Sequence, residues 1–159
     1  MAAFNYFLKI DGIAGESVDS KHKDEIDVLS WSWGESQPAA AGPGGGGAGK
    51  VAMNDLHVSA NLSKAGPELL LACASGKHLK SAVLTGRRGG KVQAEFLSFS
   101  LSDVLVTAYQ TGGTTADAPL DSLSLSFSKI EMTYQQQSAK GGPGATTRAG
   151  WDRKANKAF

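Results

Sequence analysis

Residues 42–50 read GPGGGGAGK, so Gly44, Gly49 and Lys50 stand at the G-x-x-x-x-G-K spacing of a phosphate-binding loop. Such a loop aims backbone N–H groups at phosphates from the start of a helix, and a hydroxyl after the lysine holds magnesium. Here Val51 follows Lys50, and the next periodic stretch, DLHVSANLS, alternates like a strand. A run of glycines produces this spacing by chance. The segment at about 37–50 therefore reads as a long, flexible loop between strands, and no nucleotide or other cofactor is expected.

The other reactive residue types are scattered. His22, His57 and His78 have no metal-ligand spacing with one another or with Cys73. Cys73 lies in an apolar helical stretch and is expected to pack as a small hydrophobe. Ser alternates with Leu and Phe along strand-like segments, and the G-x-S-x-G pattern is absent. No catalytic residues, metal ligands or cofactor-binding residues emerge, and the chain is not expected to be an enzyme. Asn61-Leu62-Ser63 matches a glycosylation acceptor but has no signal peptide before it. GRRGGK, with Arg87, Arg88 and Lys91, is too short and too poor in aromatics for nucleic acid and reads as a solvated hairpin turn.

Composition limits the partners further. Sixteen basic side chains nearly balance fifteen acidic ones, which leaves no bulk charge to hold nucleic acid or an acidic membrane. A length of 159 residues at 41% apolar content suits one domain with one core. A single cysteine cannot form an internal disulfide, and no apolar stretch is long enough to span a bilayer. MAAFNYFLKIDG lacks the features of a secretory leader, so any export is expected to proceed without one. Residues 1–36 hold seven acids and three lysines, while 139–159 hold five bases and one acid. That asymmetry would let copies meet head to tail if the two segments projected from opposite sides.

The elements behind these residues are mostly strands. Phe4, Tyr6, Leu8 and Ile10 share one face of a first strand, Leu29, Trp31 and Trp33 one face of a second, and Leu56, Val58, Ala60 and Leu62 one face of a third. One helix is predicted at about 67–76, with Pro67 in its first turn, Gly76 closing it, and Leu69, Leu70, Ala72 and Cys73 as its buried stripe. Two later segments change phase midway. The apolar sets are Leu97, Phe99, Leu101 then Val104, Val106, Ala108, and Leu123, Leu125, Phe127 then Ile130, Met132, Tyr134. An antiparallel register that sets Val106 against Leu125 also sets Leu101 against Ile130 and Leu97 against Tyr134. Directly opposed residues share a face, so one register satisfies both halves and predicts one long hairpin. Its buried side switches at Ser102/Asp103 against Ser128/Lys129. The second face, with Val104, Val106, Leu123, Leu125 and Phe127, is then a candidate contact with a neighbouring subunit, or else the switch marks two bulges in an ordinary barrel.

Several of these stretches together resemble the Hcp family, the hemolysin-coregulated proteins of the type VI secretion system. The stretches FLKIDGIAGES, IDVLSWSWG, LHVSANLSKAGPELLLACASGKHLKSAVL and AGWDRKANKAF are similar to the family's in order and spacing. The chain departs at Gly66, where the family often has Ser, and in its Gly/Ala-rich loop. The resemblance implies a mainly β fold over residues 1–159: a compact β-barrel of two packed antiparallel sheets with a flanking helix. It also implies hexameric rings that stack into a tube, with a contractile sheath, a spike protein and secreted effectors as partners. Assembly would take place in the bacterial cytoplasm, with no membrane insertion. The loop residues Pro38, Gly42, Pro43, Gly46, Gly49 and Lys50 would reach the adjacent ring. The alternatives are a phage-type tail-tube subunit, a monomeric ligand-binding β-barrel and, last, a nucleotide-dependent enzyme.

Overall fold

Strands of alternating polarity must bury one face, and here a single sheet does so by closing on itself. The computed structural model describes residues 3–38 and 50–159. Its elements are β1 (Phe4–Ile10), β2 (Ile26–Ser32), β3 (Glu35–Ser36), β4 (Ala52–Met53), β5 (Leu56–Asn61), α1 (Ala65–Ser75), β6 (Leu79–Arg88), β7 (Glu95–Gly112), β8 (Leu120–Ser126), β9 (Lys129–Gln137), β10 (Pro143–Asp152) and β11 (Lys157–Ala158). Antiparallel neighbours run β7-β6-β1-β2-β5-β8, and β8 returns to β7 to close a six-strand barrel. Strands β9, β10 and β11 extend the sheet past the barrel, and β3 pairs with β4 in a small second sheet.

The long strand β7 serves both parts. Its first half pairs with β9, setting Leu97 against Tyr134 and Leu101 against Ile130; its second half pairs with β8, setting Val106 against Leu125. The expected hairpin register holds on both sides of the switch. At the switch Asp103 takes the left-handed φ of 54°, and Ser128 N–H donates to Ser102 O at 2.9 Å. A bulge between Val106 and Ala108 follows. These irregularities turn β7 so that Leu97, Phe99, Leu101, Val104 and Val106 all face the same barrel interior, whereas Ala108, beyond the bulge, is exposed.

That geometry corrects one expectation. Val104, Val106, Leu123, Leu125 and Phe127 are all buried within the chain itself, in one cluster with Leu8, Leu56, Leu84 and Leu101. They have no surface left for a neighbouring subunit, and the reading of bulges in a barrel prevails.

A second bulge, between Val28 and Ser30, corrects the reading of β2. Ile26 and Val28 face the core before it and Trp31 and Trp33 pack on the core after it, while Leu29 is left 55% exposed. Helix α1 begins two residues earlier than expected and ends one earlier. It buries Ala65, Gly66, Leu69 and Ala72, whereas Leu70 and Leu71 are exposed and Cys73 is half-buried. Gly76, at φ 66°, closes it by donating to Ala72 O. The start is capped from afar: Lys64 N–H donates to Glu16 Oε2 at 2.8 Å, which satisfies a backbone donor that no local side chain reaches. Gly66 has a steric reason, since a Cβ there would stand 2.9 Å from Leu62 Cδ1 and 3.0 Å from the Tyr109 hydroxyl. That hydroxyl donates to the buried Asp121 at 3.0 Å.

Candidate functional site: the open barrel end and the overhanging ribbon

Residues that could act on a partner are those the barrel leaves uncovered. Strands β9 and β10 form a ribbon that continues the sheet past the barrel wall, with β9 hydrogen-bonded to β7 from Lys129 to Tyr134. The ribbon's core-side face continues from the buried Ile130 to Met132 and Tyr134, which are 43% and 41% exposed. The same face carries Ala149 opposite Met132 and Trp151 opposite Ile130. Beside it runs an open groove of about 520 Å³, lined by Trp33, Met53, Ile130, Met132 and Trp151. Trp33 is fixed there by donating from Nε1 to Asn54 O at 2.8 Å. An exposed apolar face beside an open groove is suited to docking.

The expected loop residues fall into two groups. Pro38 and Lys50 are exposed and flank the groove's β3–β4 edge, whereas Gly42, Pro43, Gly46 and Gly49 lie outside the described residues. Lys50 leads into β4 and β5, with no helix to aim N–H groups at a phosphate.

Two polar clusters escaped the sequence reading. Arg87, expected in a solvated turn, is only 4% exposed. Its guanidinium makes a bidentate pair with Asp19 at 2.8 and 2.9 Å and stacks 4.9 Å from the Phe7 ring. The Arg87 guanidinium lowers the Asp19 carboxyl from 3.8 to about 2, against the opposing effect of burial. Beside it His22 stacks on Phe7 at 4.4 Å, with Nδ1 3.0 Å from both Glu25 oxygens and Nε2 2.8 Å from Glu95. Together these contacts pin the 11–25 segment across the outer face of β1 and β6. The residues involved are up to 73 positions apart, and no spacing rule connects them.

The second cluster lies at the turn of β7. Asp103 accepts from Ser128 Oγ at 2.7 Å, from His78 Nδ1 at 3.0 Å and from Lys154 Nζ at 3.1 Å. The Ser128 hydroxyl first, then His78 and Lys154, hold its carboxyl well below the usual carboxylate range. Arg153 donates to Phe127 O at 3.0 Å, and Arg148 stands 3.5 Å from Glu131. Glu16, Asp19, Glu25, Arg148, Arg153 and Lys154 are thus engaged within the chain. The expected opposition of an acidic start and a basic end is correspondingly reduced.

Among the described residues no cluster of metal-ligating side chains occurs, and no helix is long and apolar enough to cross a membrane. A closed barrel with an exposed apolar overhang offers a surface suited to contact with other proteins. The family profile described as "Type VI secretion system effector, Hcp" matches residues 7–134. The chain belongs to the Hcp family, secreted structural proteins of the type VI secretion system. It is 42% identical to protein hcp1 of Pseudomonas aeruginosa, covering 97% of this chain and 98% of that one. It also superposes on Hcp1 from Salmonella typhimurium with a TM-score of 0.84 at 38% identity, covering 99% and 100% of the two chains. A type VI secretion system effector from Yersinia pestis gives 0.74 at 32% identity, covering 92% and 98%.

Proposed function

We propose that copies of this chain form hexameric rings that stack into a tube. On this reading a surrounding sheath expels the tube, with a spike protein at its tip and effectors in its lumen. Assembly occurs in the bacterial cytoplasm. The chain performs no chemistry; its work is done by interfaces repeated from copy to copy. The observation that carries the reading is the near full-length likeness to protein hcp1. The ribbon supports it, since its Met132 and Tyr134 face is left partly exposed among the described residues. A heterologous contact through such a face closes a ring when the rotation between copies is a simple fraction of a turn.

Negative-stain electron microscopy of the untagged protein tests this directly. Six-fold rings with an open centre are expected. Uniformly small particles at every concentration would favour a monomeric barrel instead. Deleting residues 42–49 should leave rings intact and weaken stacking, and tubes of normal length from that variant would remove the loop from the reading.

A further inference from the structure

Strand direction sorts the turns by barrel end. Strands β1, β5 and β7 begin, and β2, β6 and β8 finish, at one end. The turn between β6 and β7 lies there. The turn between β9 and β10 lies on the same side, because Tyr134 of β9 pairs with Leu97 near the start of β7. The turn at 113–119, between β7 and β8, marks the opposite end.

The two ends differ in chemistry. At the first, the Arg88 guanidinium sits 4.9 Å from the Phe96 ring and 5.9 Å from Phe4, which is 44% exposed. Lys91 and Lys140 are exposed in the adjoining turns. None of these three bases has a carboxylate within ion-pair distance among the described residues. The nearest acid in sequence, Glu95, is taken by His22. At the opposite end every residue from Thr111 to Leu120 is exposed, and Asp117 is the only charge in the turn. Its backbone N–H is held by Thr114 Oγ1 at 3.2 Å, while its carboxylate has no ion-pair partner among the described residues. Leu62 and Leu120, both exposed, flank that turn, and Leu62 N–H is anchored on Pro119 O at 2.9 Å.

We propose that rings stack by seating the 113–119 turn of one copy on the Arg88–Phe4–Phe96 platform of a copy in the next ring. Asp117 meets Arg88, and Leu62 and Leu120 cover Phe4. An aromatic-backed arginine is the kind of residue that dominates interface energy, because its stem is already packed and only its head remains to be paired. The charges also set polarity. Joining two platform ends would oppose Arg88, Lys91 and Lys140 to themselves, so like-charge repulsion favours stacks in which every ring points the same way. The proposal rests on the ring reading above and adds the surface by which rings meet.

The test is a charge exchange in the full chain: Arg88→Glu, Asp117→Lys, and the two together. Ring mass is read by light scattering, and stack length by electron microscopy at low and high salt. Each single variant should keep the ring mass and raise the concentration at which stacks appear at least tenfold. The double variant should restore stacking, because Glu then faces Lys. Lys91→Glu combined with Lys140→Glu alters only exposed turn residues and should weaken stacking in the same direction, which covers the case of a single variant that folds poorly. Wild-type stacks should shorten as salt rises. Single variants that stack like wild type, or a double variant that stays unstacked, would overturn the proposal while leaving the rings in place. Wild-type protein without rings would overturn the ring reading itself.

Discussion

Leu125 separates a barrel core from a subunit contact. Its side chain has 0% exposure and stands in register between Leu56 of β5 and Val106 of β7, so hydrogen-bonded strands hold the wall on both sides. Leu125→Ala removes about three methylene equivalents, roughly 2.4 kcal/mol at ~0.8 kcal/mol each. Paired strands cannot close onto the vacated volume, so a cavity cost adds to this and the expected loss is about 3–5 kcal/mol. For a domain of this size each kcal/mol lowers Tm by roughly 2–4 °C, which places the expected fall at about 6–20 °C. The measurement is thermal and urea unfolding at concentrations where Tm does not depend on concentration, so that assembly does not contribute. The urea slope should be unchanged. A fall below about 3 °C together with loss of rings would refute the assignment of Leu125 to the core and return it to the interface.

Three further outcomes are expected. The folded Asp19 carboxyl lies at about 2 against an ordinary 3.8, so its contribution to stability is complete above pH 4 and is lost as pH falls toward 2; Tm of Asp19→Asn should vary less with pH across that window, and an unchanged profile would contradict the pair. Glu16→Ala should cost about 0.5–2 kcal/mol by uncapping α1, with faster amide exchange confined to the first turn of the helix; uniform exchange changes would argue against a capping role. Magnesium and ATP should not shift Tm, and Lys50→Ala should behave like wild type in that assay; a shift that Lys50→Ala abolishes would revive the phosphate-loop reading.

The legible parts of the fold were those where one periodicity met another. The β7 register could be read because Leu101 and Ile130, and Val106 and Leu125, supply matching apolar positions on both sides of a phase switch. The switch itself was visible, but its meaning was not, since sequence gives the phase of a strand and not the direction in which it bends at Asp103. Leu29 was misplaced for a related reason. A bulge adds one residue and moves the faces without any glycine or proline to announce it. On α1, Leu70 looked like core by type, yet an 11-residue helix lying on a barrel buries only the side that carries Leu69 and Ala72. The Asp19–Arg87 pair and the Glu16 cap bridge 68 and 48 positions, and polar partners at such distances leave no local pattern. The groove combines Trp33 with Met132 and Trp151, which only closure of the sheet brings together.

The shared strand β7 also bears on how the chain reaches its fold. Strands β7, β8 and β9 follow one another with one short turn and a single kink, so their pairing closes only small loops and can form early. Barrel closure instead requires Phe4–Ile10 to find Ala82–Arg88 and Leu56–Asn61 to find Leu120–Leu125, each a search across up to about half of the chain. On the ribosome β5 is made well before β8 exists, and one edge of it stays unpaired until about three-quarters of the chain has been made, as β8 begins at residue 120 of 159. Substitutions along the 104–127 register are then expected to slow refolding, whereas those along β1–β6 chiefly hasten unfolding, and chevron plots distinguish the two. A subunit of the proposed tube, needed in many copies, would accordingly depend on keeping open-barrel chains apart until each has closed.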